Sequence, residues 1–216
     1  MIVLIGKRLG IMVLTMFAVS LLLFLLLEFS PGSVATKVLG QFASEEQKNL
    51  WLEQRGYFEP VWYRYFAWAS NFITGDLGIS HRYKAPVADI LWPRLWNTAI
   101  LGFWTFALLI PISLALGVLA GMREGSKLDR TISVTSIITT SIPEFASAVF
   151  LSAIFVFGLK LLPGTSGMIS GFEFKQLILP VLVLLIYDFG YVTRMTRASM
   201  AEVMTTHYVR TAVLKG

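Results

Sequence analysis

The chain of 216 residues is 56% hydrophobic and only 14% charged, with a mean hydropathy of +0.69. Soluble domains carry roughly 45–50% apolar and about 25% charged residues, so a single water-soluble globule is excluded and lipid must solvate much of the chain. With no cysteine and two histidines far apart, His81 and His207, disulfides and thiol chemistry are excluded, and no metal or cofactor is expected in this chain. The net charge of +5 is assigned to membrane topology.

Residues 9–29 form an apolar run of 21 whose one ionisable residue is Glu28, long enough at 1.5 Å per residue to cross a hydrocarbon core of about 30 Å. Lys7 and Arg8 before it and Ser33-Val34-Ala35 after it have the look of a cleavable leader, but the run exceeds the roughly 7–15 residues of a leader's apolar core. It is span one. The stretch 30–96 is too long for a plain connection and should carry structure of its own. Within it, Ser44-Glu45-Glu46-Gln47 is a capping-box pattern that predicts a short helix through Trp51 and Leu52 to Gln54. Next, Trp62, Tyr63, Tyr65, Phe66, Trp68 and Phe72 crowd into residues 61–72 and predict a helix lying in the headgroup layer. A nucleic-acid stacking surface would need a basic groove, and Arg64 is the one cation in that stretch, so no nucleic-acid partner is expected.

Residues 97–120 give a second span free of charge, in which Pro111 is tolerable where neighbouring helices satisfy the backbone. Residues 131–159 give a third, interrupted by Pro143-Glu144, and residues 177–193 a fourth that carries Asp188. Segments 1–8, 121–130 and 194–216 hold nine of the 18 Lys and Arg, at twice the density of the segments on the other side. The positive-inside bias then puts the N-terminus and residues 194–216 in the cytoplasm, a parity that four spans satisfy. The fold class expected is an all-α membrane protein, a multi-pass helical bundle.

Catalytic patterns are missing from the sequence. No phosphate-binding G-x-x-x-x-G-K-[ST] loop and no G-x-S-x-G occurs, so neither ATP binding nor nucleophilic catalysis is expected of this chain. Three acids inside apolar runs are more informative, because a carboxylate at mid-span costs roughly 2.5–3.5 kcal/mol. Glu28 lies at a span end and can reach the interface. Glu144 and Asp188 lie deeper and should face protein or water; whether they touch a solute or pair within the bundle stays open.

Taken alone, residues 194–216 read as a helical segment of mixed polarity ending in Gly216. Tyr208-Val209-Arg210-Thr211-Ala212 through Gly216 resembles the E-A-A-x-x-x-G motif of ABC importer permeases, in the R-T-A-x-x-K-G form of the dipeptide, oligopeptide and nickel permease family. Lys7-Arg8-Leu9, Phe29-Ser30-Pro31-Gly32, Gly75-Asp76-Leu77-Gly78, Pro86-Val87, Arg94-Leu95, Ser141-Ile142-Pro143-Glu144-Phe145, Leu179-Pro180 and Thr196-Arg197-Ala198-Ser199-Met200 follow the same family in order and spacing. Arg210-Thr211 stands where other ABC permeases carry Glu-Ala.

The resemblance implies a type I importer permease in a bacterial inner membrane, with residues 1–94 as the first span and extracytoplasmic loop region and 95–216 as the permease core. About six spans are expected in the full-length protein, so this chain is expected to stop short of two. It implies four partners besides membrane lipid: a second homologous permease, two ATPase subunits and an extracytoplasmic substrate-binding protein. Tyr208, Arg210, Thr211, Ala212 and Gly216 would belong to a coupling helix seated on the ATPase, and Glu144 and Asp188 would be candidates for the translocation path. Peptides, nickel, glutathione and other small solutes all fit the family. The alternative is a secondary transporter or channel, for which the break at Pro143-Glu144 would be an ion site.

Overall fold

A computed structural model describes residues 1–29, 31–168 and 171–215. The chain divides into two compact units, Met1–Pro93 and Arg94–Gly216.

In the first unit, α1 (Ile2–Glu28) contains span one and starts seven residues before the apolar run, through Lys7 and Arg8. These residues are good helix formers and do not interrupt it. Next comes α2 (Pro31–Leu39), absent from the sequence expectations; Pro31 suits a first helical position because its missing N–H has no helical partner there in any case. The capping box at α3 (Glu45–Glu53) forms as predicted: Gln47 N–H donates to Ser44 Oγ at 3.2 Å and Ser44 N–H donates to Gln47 Oε1 at 3.0 Å. Ala35 of α2 is buried with Trp51 and Leu52 of α3, which closes a small apolar core.

The aromatic stretch is helical, α4 (Val61–Ile73), but it does not simply lie across the end of the span. Tyr65 packs edge-on against Phe17 and Phe24 of α1, with ring centroids 5.9 and 5.4 Å apart, and its hydroxyl is hydrogen-bonded to that of Ser20 at 2.9 Å. Ser20 precedes Glu28 by two turns, about 12 Å of helix, so α4 docks on the span itself. Trp62, Tyr63 and Phe66 stay exposed on its other face. After α4, Gly75-Asp76-Leu77-Gly78 opens a small hairpin in which Val87 N–H donates to Gly78 O and Ser80 N–H to Ala85 O, both at 2.9 Å. Gly78 sits at φ +73°, which only glycine adopts freely.

The second unit contains most of α5 (Val87–Met122), then α6 (Lys127–Ser141), α7 (Glu144–Ser152) continuing as a π-helical stretch Ala153–Gly158, α8 (Phe174–Met204) and α9 (His207–Leu214). Among the described residues three helices, α1, α5 and α8, are each long and apolar enough to cross a membrane, and a fourth span results if the α6–α7 pair counts as one. The interruption expected in the third span at Pro143-Glu144 is a sharp bend between two helices. Its halves meet at 92°. Pro143 can donate no backbone hydrogen bond and forces Ile142 into an extended conformation (φ −87°, ψ 121°), which ends α6. The fourth span lies within α8, which runs unbroken for 31 residues, through Pro180 and on past Thr193.

Small residues hold these helices together. A Cβ on Gly117 would come within 2.6 Å of Thr196 Cβ, and one on Gly121 within 2.6 Å of Met200 Cβ. Both glycines lie on one face of α5, a G-x-x-x-G pair that lets backbones approach where lipid provides no hydrophobic drive. The pairing order makes α5 and α8 parallel. On another face of α8, a Cβ on Gly190 would lie 2.5 Å from Thr139 Oγ1 and closer still to the Ser136 carbonyl oxygen, and α6 runs antiparallel to α8. Ser113, Ser136 and Thr193 are fully buried in this unit, and their hydroxyls have no hydrogen-bond partner among the described residues.

Candidate functional site

The chain turns from α5 into α6 at Gly125-Ser126, and Ser126 Oγ caps α6 by accepting from Asp129 N–H at 3.1 Å. That cap sets Asp129 facing α8. One Asp129 carboxylate oxygen accepts from Arg197 Nη2 at 2.8 Å and the other from Arg197 Nε, a two-pronged pair across 68 residues of sequence. Gly125 N–H at 2.9 Å and Ser133 Oγ at 3.2 Å also donate to it. The Asp129 side chain is only 4% exposed. With every oxygen occupied, the planar guanidinium holds the two helix ends in one orientation. Glu124 adds a looser contact to Arg197 at 3.7 Å. Sequence reasoning passed over Asp129 because it sits in a short loop whose basic residues suggest topology. Its signal was the Ser126-x-x-Asp129 cap.

Past Arg197, α8 ends at Met204 with Thr205 as its cap, and α9 begins at His207. Here lie the predicted coupling residues. Tyr208 is 64% exposed, and Arg210, Thr211 and Ala212 are exposed too. Arg210 N–H donates to Thr206 O at 3.2 Å, and Thr211 Oγ1 to His207 O at 2.8 Å. These bonds stay inside the helix and leave its outer surface uncovered. Gly216 lies outside the described residues.

The other candidate residues are placed separately. Glu144 is exposed at the start of α7, just after the break, where the free N–H groups of a helix start favour a carboxylate. It lines a cavity of about 340 Å³ with Ser152, Thr165, Ser166, Gln176 and Pro180 among its walls. Gln176 fixes the far wall by accepting from Met168 N–H at 3.0 Å and donating to Glu173 at 2.7 Å. Asp188 is half-buried on α8 and does not line this cavity. It lies two turns beyond Pro180, about 12 Å along the helix. The two candidate path acids therefore do not share one cavity.

Residues 113–216 match the family model of the binding-protein-dependent transport system inner membrane component. Over 214 residues the chain is 34% identical to a probable peptide ABC transporter permease of Sinorhizobium fredii, covering 97% of this chain and 68% of that one. The chain belongs to this permease family. It is also 32% identical to an oligopeptide transport system permease of Bacillus subtilis, over 92% of this chain and 65% of the other. A glutathione transport system permease of Shigella flexneri is likewise 32% identical, over 97% and 67%. The chain thus spans about two thirds of the length of these relatives. As a member it is a multi-pass inner-membrane permease of an ATP-driven importer and not an enzyme. Coupling to an ABC ATPase and work with a substrate-binding component are general to the family. The ATP-independent alternative falls with this membership, although the helix break that suggested it is real.

Proposed function

We propose that this permease forms half of a translocation path for peptides or similar small solutes, paired with a second homologous permease, driven by two ATPase subunits and supplied by an extracytoplasmic binding protein. The observation that carries the coupling assignment is α9: a short helix with an uncovered surface, bearing the Arg210-Thr211-Ala212 motif, directly continuing a helix that crosses the core. Tyr208, Arg210, Thr211, Ala212 and Gly216 contact the ATPase in this reading. Displacement of α9 passes along α8, and the Asp129–Arg197 pair carries it to α6, so the α6–α7 break moves with it. That is a rigid-body route between two sites. Glu144 places negative charge beside the path through its cavity, and Asp188 faces the path deeper along α8. Parallel α5 and α8 with antiparallel α6 support a common, basic side for residues 121–130 and 194–216, and the positive-inside bias makes that side, and with it the N-terminus, cytoplasmic in this reading.

The test uses the complete importer in proteoliposomes. Ala212→Glu and Gly216→Trp should leave membrane insertion and complex formation intact while uptake falls at least tenfold and ATP hydrolysis no longer responds to loaded binding protein. Full uptake in both variants would overturn the coupling role. For the path, Glu144→Gln should selectively slow cationic solutes, whereas equal transport of cationic and neutral ones would make Glu144 structural.

A further inference from the structure

In the first unit a cavity of about 990 Å³ lies beside α1 and α4, and nothing in the coupling route uses it. Its walls differ in chemistry. Leu23, Phe24 and Leu27 of α1 and Trp68 of α4 make an apolar side, whereas Arg55, His81 and Lys84 make a basic one. Glu28 is the acid in the lining, and Arg64 already pairs with it, both side chains 13% exposed. Among the described residues neither Arg55 nor Lys84 forms a salt bridge. The Arg55 guanidinium instead stacks over the Trp51 ring, 4.2 Å from its centroid. His81 also packs on Trp51, with centroids 5.5 Å apart. Burial, and then the charges of Arg55 and Lys84, hold the His81 pKa below its ordinary value. Among the described residues no carboxylate lies within ion-pair distance of Arg55 or Lys84, so a bound anion would relieve the positive potential of the basic side.

The two sides also come from different kinds of segment. Leu23 and Leu27 belong to the last turns of the apolar helix, which Glu28 closes, whereas Arg55 follows α3 and His81 and Lys84 lie in the hairpin, outside the membrane-crossing helix. A ligand filling the cavity would have its apolar part against the apolar helix and its anionic part against these polar connections. The volume stands near the top of the roughly 300–1,000 Å³ range of small-ligand sites. We propose that this cavity binds one anionic phospholipid, its phosphate seated among Arg55, His81 and Lys84 and an acyl chain laid along Leu23, Phe24 and Leu27. A soluble anion would make no use of the apolar wall. A zwitterionic lipid would gain little from uncompensated cations, because it brings its own ammonium.

The experiment measures lipid retained by the complete full-length importer, purified in mild detergent and exchanged into nanodiscs of equal parts phosphatidylglycerol and phosphatidylcholine. Native mass spectrometry should find one phosphatidylglycerol held in preference to phosphatidylcholine. Lys84→Gln should reduce its retention about fivefold, since one basic group near a bilayer surface contributes about 1 kcal/mol toward anionic lipid. Leu23→Trp fills the apolar side without touching charge and should reduce retention as well, which keeps the test decisive if a charge variant fails to assemble. Millimolar inorganic phosphate should not displace the lipid. Equal retention of both lipids, retention unchanged in Lys84→Gln and Leu23→Trp, or complete displacement by inorganic phosphate would each overturn the proposal. So would failure to find any bound lipid in the assembled importer.

Discussion

Helices α1 and α8 are both long and apolar enough to cross a bilayer, yet their surfaces are used differently. None of the most apolar window of α1 is buried, against 33% for α8. α1 is the more apolar of the two, at a mean hydropathy of 2.7 against 1.7. Hydropathy therefore ranks them by affinity for lipid, whereas packing follows the small residues: α8 meets its neighbours at Gly117, Gly121 and Gly190. In lipid, an aliphatic side chain gains little by moving from a tail to a neighbouring helix, so close backbone approach decides which helices associate.

Glycine replacement should show this contrast at full strength. Gly190→Leu drives a side chain into the Ser136 backbone and should cost about 3 kcal/mol, read as a lower midpoint of thermal denaturation in detergent. Gly10→Leu on α1, where a Cβ meets nothing within 4 Å, should stay within about 0.5 kcal/mol. Equal losses at both sites would break the comparison. Next in size is the Asp129–Arg197 pair that fastens α8. Asp129→Ala should cost about 2 kcal/mol, the scale of hydrogen bonds to a charged group, and reduce coupled uptake more than ATP hydrolysis. A loss of stability with uptake per ATP unchanged would leave the pair a fastener only.

Thr193→Val tests whether size rather than polarity matters along α8. Its buried hydroxyl has no partner among the described residues, so the near-isosteric change should be neutral or should raise stability by up to about 1 kcal/mol. Destabilisation would reveal a bond the hydroxyl needs. The smallest effect belongs to the α1 side. His81 has a folded pKa below its unfolded value near about 6.5. The unfolded chain therefore takes up the proton first as pH falls. His81 adds no penalty above that pH, and stability is lost as pH drops through 6.5 toward the folded value. Thermal midpoints of lipid-free protein at pH 7.5 and 5.5 should differ less in His81→Phe than in the parent. An unchanged difference would show that His81 is not strained by its neighbours.

What the sequence made legible was local or coarse. The capping box at Ser44 and Gln47 needs only four adjacent residues, and the apolar runs need only composition; both appear where expected. Contacts between distant residues escaped. Gly117 and Gly121 are legible as a spacing, but nothing local says that Thr196 and Met200 cover them. Glu28 could reach the interface from its position, and what holds it is Arg64, 36 residues on, supplied by a helix that docks on α1. Asp129 was hidden among topology-setting charges. Glu144 and Asp188 were grouped because both are acids in apolar runs, whereas the break at Pro143 turns the first toward a cavity and leaves the second along α8. The residues of α9 were legible only as a motif shared with a family, since among the described residues their side chains make no hydrogen bond beyond their own helix.

The right-angled third span has a consequence for biosynthesis. α6 is rich in hydroxyls, several of which return to its own backbone, as Thr131 does to Lys127 O and Ser141 to Ile137 O. Such a segment has little reason to leave the aqueous insertion channel on its own account. Its buried carboxylate, Asp129, finds Arg197 only after 68 more residues have been made. Release of α6 into the bilayer is thus tied to the arrival of α8, and in nascent chains stalled before Arg197 a single cysteine placed on α6 should stay open to a water-soluble thiol reagent while one on α1 or α5 is already shielded.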